Sequence, residues 1–286
     1  MAHIDAGFRS LDPSSDLGKQ AATSAFFLRA REKARRVRIG SREFYVLEGD
    51  LVLDEQQLAE YAVRKESGAD APVVETEAAG KTSKLLGISH GGKLLRWRPG
   101  KVLSFYVAKE TFPDAASYRK ARENVRTATE DWMNVCGVEF AYRGQLDTHP
   151  EARPGDALFS VVYEDVHGAF IAAAFFPDDP VERRVLVIDP SYFRPDLGFD
   201  PVGVFRHELG HVLGFRHEHI RSGAPPQCPG EPLNDTEPLT QNYDPNSVMH
   251  YFCGGVGDTE LRITQLDIEG ARRLYGLPLS SYSMAD

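Results

Sequence analysis

Two histidines, His207 and His211, stand four positions apart in a stretch whose apolar pattern predicts a helix. On a helix, this spacing places both imidazoles on one face, one turn apart, where they can bind one Zn2+ ion at ~2.0–2.1 Å. Glu208 projects about 100° further around the helix, beside the metal rather than among its ligands. A carboxylate in that position can take a proton from a zinc-activated water and pass it to a leaving amine. The stretch therefore predicts a catalytic zinc site.

A third histidine, His217, lies six residues beyond His211. A continuing helix would point it away from the first two, but Gly214 lies between them. Glycine adopts the left-handed conformation that ends a helix and turns the chain back. Three imidazoles would then leave a fourth position for water, as in catalytic rather than structural zinc sites. The alternative is that the histidines only cap or pack a helix.

A second informative stretch, residues 243–251 (YDPNSVMHY), combines turn chemistry with a methionine and a tyrosine. Its Asp-Pro-Asn-Ser sequence favours a tight bend that places Met249 and Tyr251 immediately after it. Taken alone, the stretch predicts a loop with a buried methionine and a packed aromatic ring. His219 and His250 have no spacing that favours metal binding, and we expect both to be structural.

Together, the two stretches resemble the metzincin zinc endopeptidases, with the astacins as the best match and the matrixins as the second. Residues 207–221 (HELGHVLGFRHEHIR) follow the astacin zinc signature, and residues 243–251 resemble its methionine-containing turn, the Met-turn. The resemblance implies that Met249 forms an apolar floor beneath the metal. It implies that Tyr251 is a fifth ligand that swings away to stabilise the oxyanion. It also implies that Glu218 binds the N-terminus of the mature enzyme.

Two departures separate the chain from the astacin pattern. The astacin signature continues past Arg221 with an acidic-Arg-acidic run, whereas residues 222–224 read Ser-Gly-Ala. Phe252 follows Tyr251, where astacins usually have glycine. These differences indicate a divergent member and leave its fine specificity open.

The N-terminal region, residues 1–85, resembles an astacin prosegment, and residues 86–286 are predicted to form the catalytic domain. Astacin prosegments carry a Phe-x-Gly-Asp motif whose aspartate occupies the zinc. Residues 47–50 (LEGD) resemble it with leucine in place of phenylalanine, which makes Asp50 a candidate latency ligand. The alternative is a hairpin turn with an exposed aspartate. A cysteine latch of the matrixin kind is disfavoured, because no cysteine precedes Cys136.

The elements that must position these residues follow from periodicity and capping signals. We predict strands at residues 102–107, 138–142, 157–163, 170–176 and 184–188, and helices from Asp114, over 201–213 and over 265–275. The resemblance implies an α+β metzincin domain. It would have a twisted, mostly parallel sheet with an antiparallel edge strand, backing and active-site helices, and a C-terminal subdomain with the Met-turn and the final helix. Residues 168–176 are the candidate edge strand for substrate; a buried central strand is the alternative.

The first part of the chain has its own pattern. Residues 43–53 predict two strands around a glycine turn, followed by a short helix that Asp54 and Gln57 start with a capping box. Seven basic side chains occupy residues 29–42, which predicts a solvated face, with partner binding as the alternative. Residues 67–84 lack periodicity and are the candidate linker.

Composition excludes some classes of protein. The 286 residues carry a formal net charge of −9, which argues against a nucleic-acid partner, and no apolar run is long enough to span a membrane. The first twenty residues lack the pattern of a secretory signal, although the resemblance favours a secreted or exported protein. Cys228 and Cys253 flank a loop and could form a disulfide; three separate thiols are the alternative. We expect a monomer that acts on proteins or peptides.

The leading hypothesis is a zinc-dependent endopeptidase, made as a latent zymogen if Asp50 occupies the metal. A non-catalytic, zinc-bound interaction domain is the first alternative, and the intact Glu208 argues against it. The second is a hydrolase of a specialised cell-wall or toxin-target peptide, which retains the same residues and mechanism.

Overall fold

The structure is a computed structural model that describes residues 10–47, 49–67, 86–90, 93–148, 156–220, 224–225, 228, 236–238 and 243–281. The predicted linker lies outside these residues except for its first position. Residues 222 and 223, the first two of the departure from the astacin signature, also lie outside the described residues.

The N-terminal part contains three helices and a three-stranded antiparallel sheet. They are α1 (Asp16–Thr23), α2 (Ala25–Lys33), β1 (Arg35–Ile39), β2 (Arg42–Leu47), β3 (Leu51–Leu53) and α3 (Glu55–Ser67). The predicted pair of strands around a glycine turn is confirmed as β2 and β3. The capping box of α3 is also confirmed, since Gln57 N donates to Asp54 Oδ1 at 2.8 Å and Asp54 N donates to Gln57 Oε1 at 3.1 Å.

The basic run is divided between α2, β1 and the first residue of β2, and neither α2 nor β1 is among the predicted elements. In β1, the side chains of Arg35, Arg36 and Arg38 are exposed, while Val37 and Ile39 are buried. The run is therefore the exposed side of an amphipathic strand, and its apolar side is available for packing.

The later elements include a five-stranded sheet and a small antiparallel sheet with the strand order β11-β4-β5. In chain order they are β4 (Leu86–His90), β5 (Lys93–Leu94), β6 (Val102–Val107), α4 (Ala115–Val135), β7 (Glu139–Tyr142), β8 (Phe159–Tyr163), β9 (Ala172–Ala173), β10 (Val185–Ile188), α5 (Pro201–Val212), β11 (Thr236–Pro238) and α6 (Gln265–Tyr275). Each predicted strand and helix is present. Four of them (β7, β8, β10 and α5) are shorter than predicted by one or two residues, and the predicted strand at 170–176 is reduced to β9.

The large sheet has the strand order β7-β6-β8-β10-β9. Its first four strands are parallel, whereas β9 pairs antiparallel with β10 through Val187↔Ala173 and Ile188↔Ala172. This arrangement confirms a mostly parallel sheet with an antiparallel edge strand. Within residues 168–176, β9 lies at the edge of this sheet among the described strands, so the central-strand alternative is wrong, while substrate binding along it stays a prediction.

Both faces of the large sheet are covered, as parallel strands require. Leu103 and Leu186 belong to the core shared with α4 and α5. Val162 and Val187 belong to a second core, shared with side chains such as Val37 and others of β1 and β2. The N-terminal sheet thus packs directly on the larger one. This packing places the β2–β3 turn beside helix α5.

Two further features agree with the sequence analysis. Asp114 caps α4, and its Oδ1 accepts from Ala116 N and Ser117 N at 2.8 Å each. Cys228 and Cys253 form a disulfide, so the hypothesis of three separate thiols is wrong; Cys136 is a buried thiol. In the described part of the chain, no helix has the length and apolar character needed to cross a membrane.

Candidate functional site

Helix α5 carries His207 and His211 one turn apart, and both side chains are buried. His207 Nδ1 donates to the Val248 carbonyl at 2.7 Å, and His211 Nδ1 donates to the Phe215 carbonyl at 2.8 Å. Because a carbonyl only accepts, Nδ1 carries the proton in each ring, and the Nε2 lone pair remains for a metal. Burial lowers the pKa of His211 to about 4, which keeps this imidazole neutral, as a metal ligand must be.

Gly214 redirects the chain after α5 toward the third histidine. Its φ of +91° is left-handed, a conformation that favours glycine. Strand β4 braces the turn: Ile88 N donates to the Gly214 carbonyl at 3.0 Å, and Arg216 N donates back to β4 at 2.8 Å. As a result, His217 Nε2 lies 3.1 Å from His211 Nε2, so the predicted convergence of the histidines is present.

We expect Gly214→Ala to weaken this site. Alanine in the left-handed region costs about 1–2 kcal/mol of unfolding free energy. Its Cβ would also lie 3.0 Å from the Leu95 carbonyl oxygen, so the chain leading to His217 must shift. Chemical denaturation should show the loss of stability, and a Zn2+ titration should show roughly tenfold weaker binding.

Gly198→Ala is the matched control. Gly198 has a φ of +78°, with nothing within 4 Å of an added Cβ, so this variant carries the backbone strain alone. It should lose stability and keep its Zn2+ affinity. Equal Zn2+ affinity in the two variants would contradict the role given to Gly214.

Asp50 reaches the three histidines from the turn between β2 and β3. One of its oxygens lies 3.2 Å from His217 Nε2, and the other lies 3.4 Å from His207 Nε2 and 3.8 Å from His211 Nε2. Burial opposes the charge on Asp50, but the histidines outweigh it and hold the pKa of this carboxyl well below its ordinary value. The side chain is only 6% exposed, so the alternative of an exposed turn aspartate is wrong.

Gly49 makes the approach of Asp50 possible. Its φ of +99° is in the left-handed region, and a Cβ at this position would lie 2.9 Å from the Tyr251 ring. Both observations require glycine here, since any other residue would be strained and would collide with the ring. The glycine of the predicted Gly-Asp pair therefore lets the backbone pass close to the site.

The segment that carries Asp50 runs alongside the edge of the large sheet. Gly49 and Asp50 border a cleft together with Phe170. The next residues, in β3, border a neighbouring groove together with Ala174 and Phe176. The N-terminal segment therefore lies beside the edge segment of the large sheet at both the cleft and the groove.

The donor atoms of this cluster fit a metal ion. Three imidazoles and the Asp50 carboxylate place their ligand atoms within 4.8 Å of one another. His207 Nε2 is buried and makes no hydrogen bond within the part of the chain that the structure describes. A buried nitrogen without a hydrogen bond requires another partner, and nitrogen and oxygen donors suit zinc.

Glu208 lies beside this cluster and lines the same cleft as His207 and Asp50. It is 3% exposed, and its Oε2 accepts no hydrogen bond from any described residue. Burial, with the nearby Asp50 carboxylate adding to it, raises the pKa of Glu208 well above its ordinary value. A carboxyl group in this state readily holds a proton, as a group that shuttles protons must.

Met249 lies directly beneath the helix that carries the histidines. A Cβ added to Gly210, between His207 and His211, would lie 2.3 Å from Met249 Sδ, so the sulfur packs against the helix backbone. The turn that places it is held by α6, because Asp267 accepts from Ser247 Oγ at 2.6 Å and from Val248 N at 2.8 Å. Asp267, the third residue of the last helix and part of its capping box, therefore holds the turn that carries Met249.

Tyr251 and Glu218 occupy the sides of the cluster. The Tyr251 ring lies 5.4 Å from the His207 ring and 4.6 Å from the His217 ring, measured between centroids. Glu218 is 1% exposed, and its Oε1 accepts from Asp244 N at 3.1 Å. Tyr251 is thus placed beside the ligands, and Glu218 links the third-histidine segment to the turn that carries Met249.

The two other histidines near the cluster, His219 and His250, have structural contacts. His250 Nδ1 donates to the Tyr251 carbonyl at 2.5 Å, and its Nε2 accepts from the Tyr243 hydroxyl at 2.6 Å. His219 stacks on Tyr251 with 4.7 Å between ring centroids. His250 also lies near the sulfurs of Cys228 and Cys253, but these form a disulfide and offer no thiolate.

Sequence reasoning missed a second anchor of the N-terminal region. The Asp54 carboxylate and Arg183 form a buried ion pair, with side chains 8% and 9% exposed. Next to it, Gln57 Nε2 donates to Asp179 Oδ1 at 2.6 Å, and burial raises the pKa of Asp179 to about 7. Asp54 is recognisable in the sequence as a helix cap, but no local pattern connects it to an arginine 129 positions away.

Comparisons with known proteins agree with the motifs. No protein-family model matches the chain. The chain is 29% identical over 157 residues to zinc metalloproteinase nas-3 of Caenorhabditis elegans, which is 50% of this chain and 51% of that protein. It is 32% identical over 123 residues to human Tolloid-like protein 2, covering 30% of this chain and 12% of that protein. For bone morphogenetic protein 1 of Xenopus laevis, identity is 31% over 123 residues, with 30% and 17% covered.

These relatives are astacin-family proteins. The resemblance to astacin-like metzincins, predicted from the two motifs, is therefore confirmed. The chain spans about half the length of nas-3 and less than a fifth of the other two relatives. Among solved structures, it aligns with myroilysin at 15% identity and a TM-score of 0.44, over 63% of this chain and 95% of that one.

Proposed function

We propose that this chain is a zinc-dependent endopeptidase of the astacin-like kind. The observation that carries the proposal is the convergence of three imidazole Nε2 atoms on one point, with the buried carboxyl group of Glu208 beside them. The name of nas-3, a zinc metalloproteinase, supports both the metal and the activity. His207, His211 and His217 would hold zinc through these nitrogens.

Bound zinc supplies Lewis-acid chemistry, which polarises a carbonyl and makes water more acidic. Glu208 takes the proton of the attacking water and then delivers it to the leaving amine, a role that its raised pKa supports. The Tyr251 hydroxyl donates to the developing oxyanion, which its place beside the ligand rings favours. We propose that Met249 is the methionine of a Met-turn and that its packing against Gly210 supports helix α5 beneath the metal ligands.

The N-terminal region, residues 1–85, is proposed to act as an inhibitory prosegment of a catalytic domain formed by residues 86–286. Asp50 lies among the ligand nitrogens and would take the metal position that water needs. After removal of the segment, Glu218 would be free to exchange its present bond with Asp244 N for one with the new N-terminus. Export is also proposed, because the Cys228–Cys253 disulfide is typical of proteins in oxidising compartments.

Two other functions use the same residues. A zinc-bound interaction domain has no need of Glu208, and burying a carboxyl group without a partner carries a free-energy cost. The presence of Glu208 beside the ligands therefore favours a catalytic function over an interaction domain. A hydrolase of a specialised cell-wall or toxin-target peptide would share the mechanism and differ only in the substrate that it accepts.

Metal removal tests the proposal. The full-length chain and its Asp50→Ala variant are incubated with a mixed peptide library, with and without a chelator, and the products are identified by mass spectrometry. We expect cleavage at internal bonds that stops with the chelator and returns with added Zn2+. Cleavage that survives the chelator would contradict the zinc mechanism, and a zinc-loaded variant that cuts no library peptide would favour the other two functions.

The second anchor gives a prediction about the inhibitory segment. Arg183→Met leaves the Asp54 carboxylate buried without its partner, and breaking such a pair costs about 3–5 kcal/mol. We expect the N-terminal region to become more sensitive to limited proteolysis, together with higher peptidase activity of the full-length chain. Arg194→Met is the control, because Arg194 pairs with Asp196 at the surface, where both side chains are more than half exposed. Equal protease sensitivity in the two variants would contradict the anchoring role.

A further inference from the structure

A cleft of about 380 Å³ opens beside the proposed catalytic groups. His207, Glu208 and Asp50 line it, and the other side chains around it are apolar or aromatic, apart from the Tyr251 hydroxyl and the disulfide sulfur of Cys253. A cavity of about 150 Å³ already holds benzene. The cleft therefore has room for a phenylalanine or leucine side chain, and no lysine or arginine of the described residues lines it to attract an acidic one.

The position of the cleft along the edge strand shows which substrate residue would enter it. Phe170 and Ala172 line the cleft, whereas Phe176, further along the same segment, packs against the ring of His211 at 5.4 Å between centroids. A peptide that pairs antiparallel with this edge runs from the Phe176 end toward the Phe170 end. Its residue after the scissile bond then lies at the cleft.

The position of Glu208 leads to the same assignment independently. Glu208 delivers a proton to the leaving amine in the proposed function, and it lines the cleft itself. The residue that contributes this amine must therefore lie next to Glu208. The edge strand and the proton donor both assign the cleft to the residue on the carboxyl side of the cleaved bond.

Phe252 is the large apolar residue of the cleft lining that is most exposed to solvent. It lines the cleft and is 54% exposed, although large apolar side chains are usually buried. Its backbone is fixed on both sides. Cys253 and Val256 exchange two hydrogen bonds at 3.0 and 3.1 Å, Cys253 is in the disulfide, and a Cβ on Gly257 would lie 2.8 Å from Phe252 Cα. The ring is thus held at the mouth of the cleft, where a substrate side chain would cover it.

We propose that this cleft selects a large apolar side chain in the residue that follows the cleaved bond, and that Phe252 is a specificity-determining residue. The inference rests on the proposed function. Burial of such a side chain against an apolar wall should favour phenylalanine or leucine over aspartate by about 10- to 100-fold in kcat/KM.

The test uses the full-length, zinc-loaded Asp50→Ala chain and its Phe252 variants. Cleavage sites in a mixed peptide library are identified by mass spectrometry, and kcat/KM is then measured for peptides that differ only in the residue after the cleaved bond. Phe252→Gly should lower the preference for phenylalanine over alanine by roughly fivefold to tenfold. Phe252→Arg should increase kcat/KM for peptides with aspartate after the cleaved bond relative to those with phenylalanine. The guanidinium group at the mouth of the cleft would then pair with the aspartate carboxylate.

Leu277→Ala is the matched control, since Leu277 is a large apolar residue that is 46% exposed and lies outside the cleft. It should leave the preference unchanged. Cleavage before acidic or basic residues, or a preference that the Phe252 variants do not alter, would overturn the inference while leaving the peptidase intact. Absence of any cleavage would overturn the proposed function, and the inference with it.

Discussion

Replacing Glu208 by glutamine should abolish peptide cleavage while the chain still binds Zn2+. Glutamine has nearly the same shape but cannot accept and release the proton, and general acid–base catalysis contributes about 10²- to 10⁴-fold to a rate. We therefore expect kcat to fall by at least roughly 100-fold in the full-length Asp50→Ala background, with Glu208→Ala behaving alike. Peptide hydrolysis gives the rate, and metal analysis of the purified protein gives the Zn2+ content.

Glu269→Gln is the control for this change. Glu269 is an exposed residue of α6, so the same loss of a carboxylate should leave both hydrolysis and Zn2+ content unaltered. If the Glu208 variants cut as fast as their parent, another group must act as the base. If they lost their metal as well, the effect would be on the site's structure rather than on proton transfer.

The second large effect concerns Asp50. Removing its carboxylate with Asp50→Ala should raise the peptidase activity of the full-length chain by roughly 10- to 100-fold. Charge-assisted contacts of this kind contribute about 1.5–3 kcal/mol, and every ~1.4 kcal/mol is tenfold in an equilibrium. Hydrolysis of a fixed peptide by equal amounts of zinc-loaded protein measures the change.

Asp16→Ala controls for a general effect of charge in the N-terminal region, because the Asp16 side chain is 96% exposed and far along the chain from the turn. It should leave activity at the level of the parent chain. If the Asp50→Ala variant binds Zn2+ and stays as inactive as the parent chain, Asp50 is not the group that inhibits the enzyme.

The parts of the site that depend on local spacing can be predicted from the sequence. Two residues that are four positions apart on a helix lie on the same face, so the spacing of His207 and His211 is enough to predict their proximity. Gly214 permits the turn that brings His217 back to them. The strands and helices after residue 100 are predictable for the same reason, since their apolar periods and caps are local. The chain order alone does not show that β9 is an edge strand, but its pairing does.

The parts of the fold and site that depend on long-range packing have no local sequence pattern that specifies their contacts. Asp50 meets the histidines only because the N-terminal sheet packs on the large sheet through residues such as Val37, which lie hidden in a run of arginines. High charge concealed the alternation of β1 and gave no sign of α2. The ion pair of Asp54 with Arg183 joins two distant segments and has no local signature.

The place of the N-terminal segment has a consequence for how the proposed inhibition would end. The segment borders the same cleft and groove along the edge of the large sheet that a substrate would use in our proposal. Substrate and segment would therefore compete for one edge of the sheet. In such a zymogen, loss of the N-terminal region, rather than a change within the catalytic groups, would start the activity.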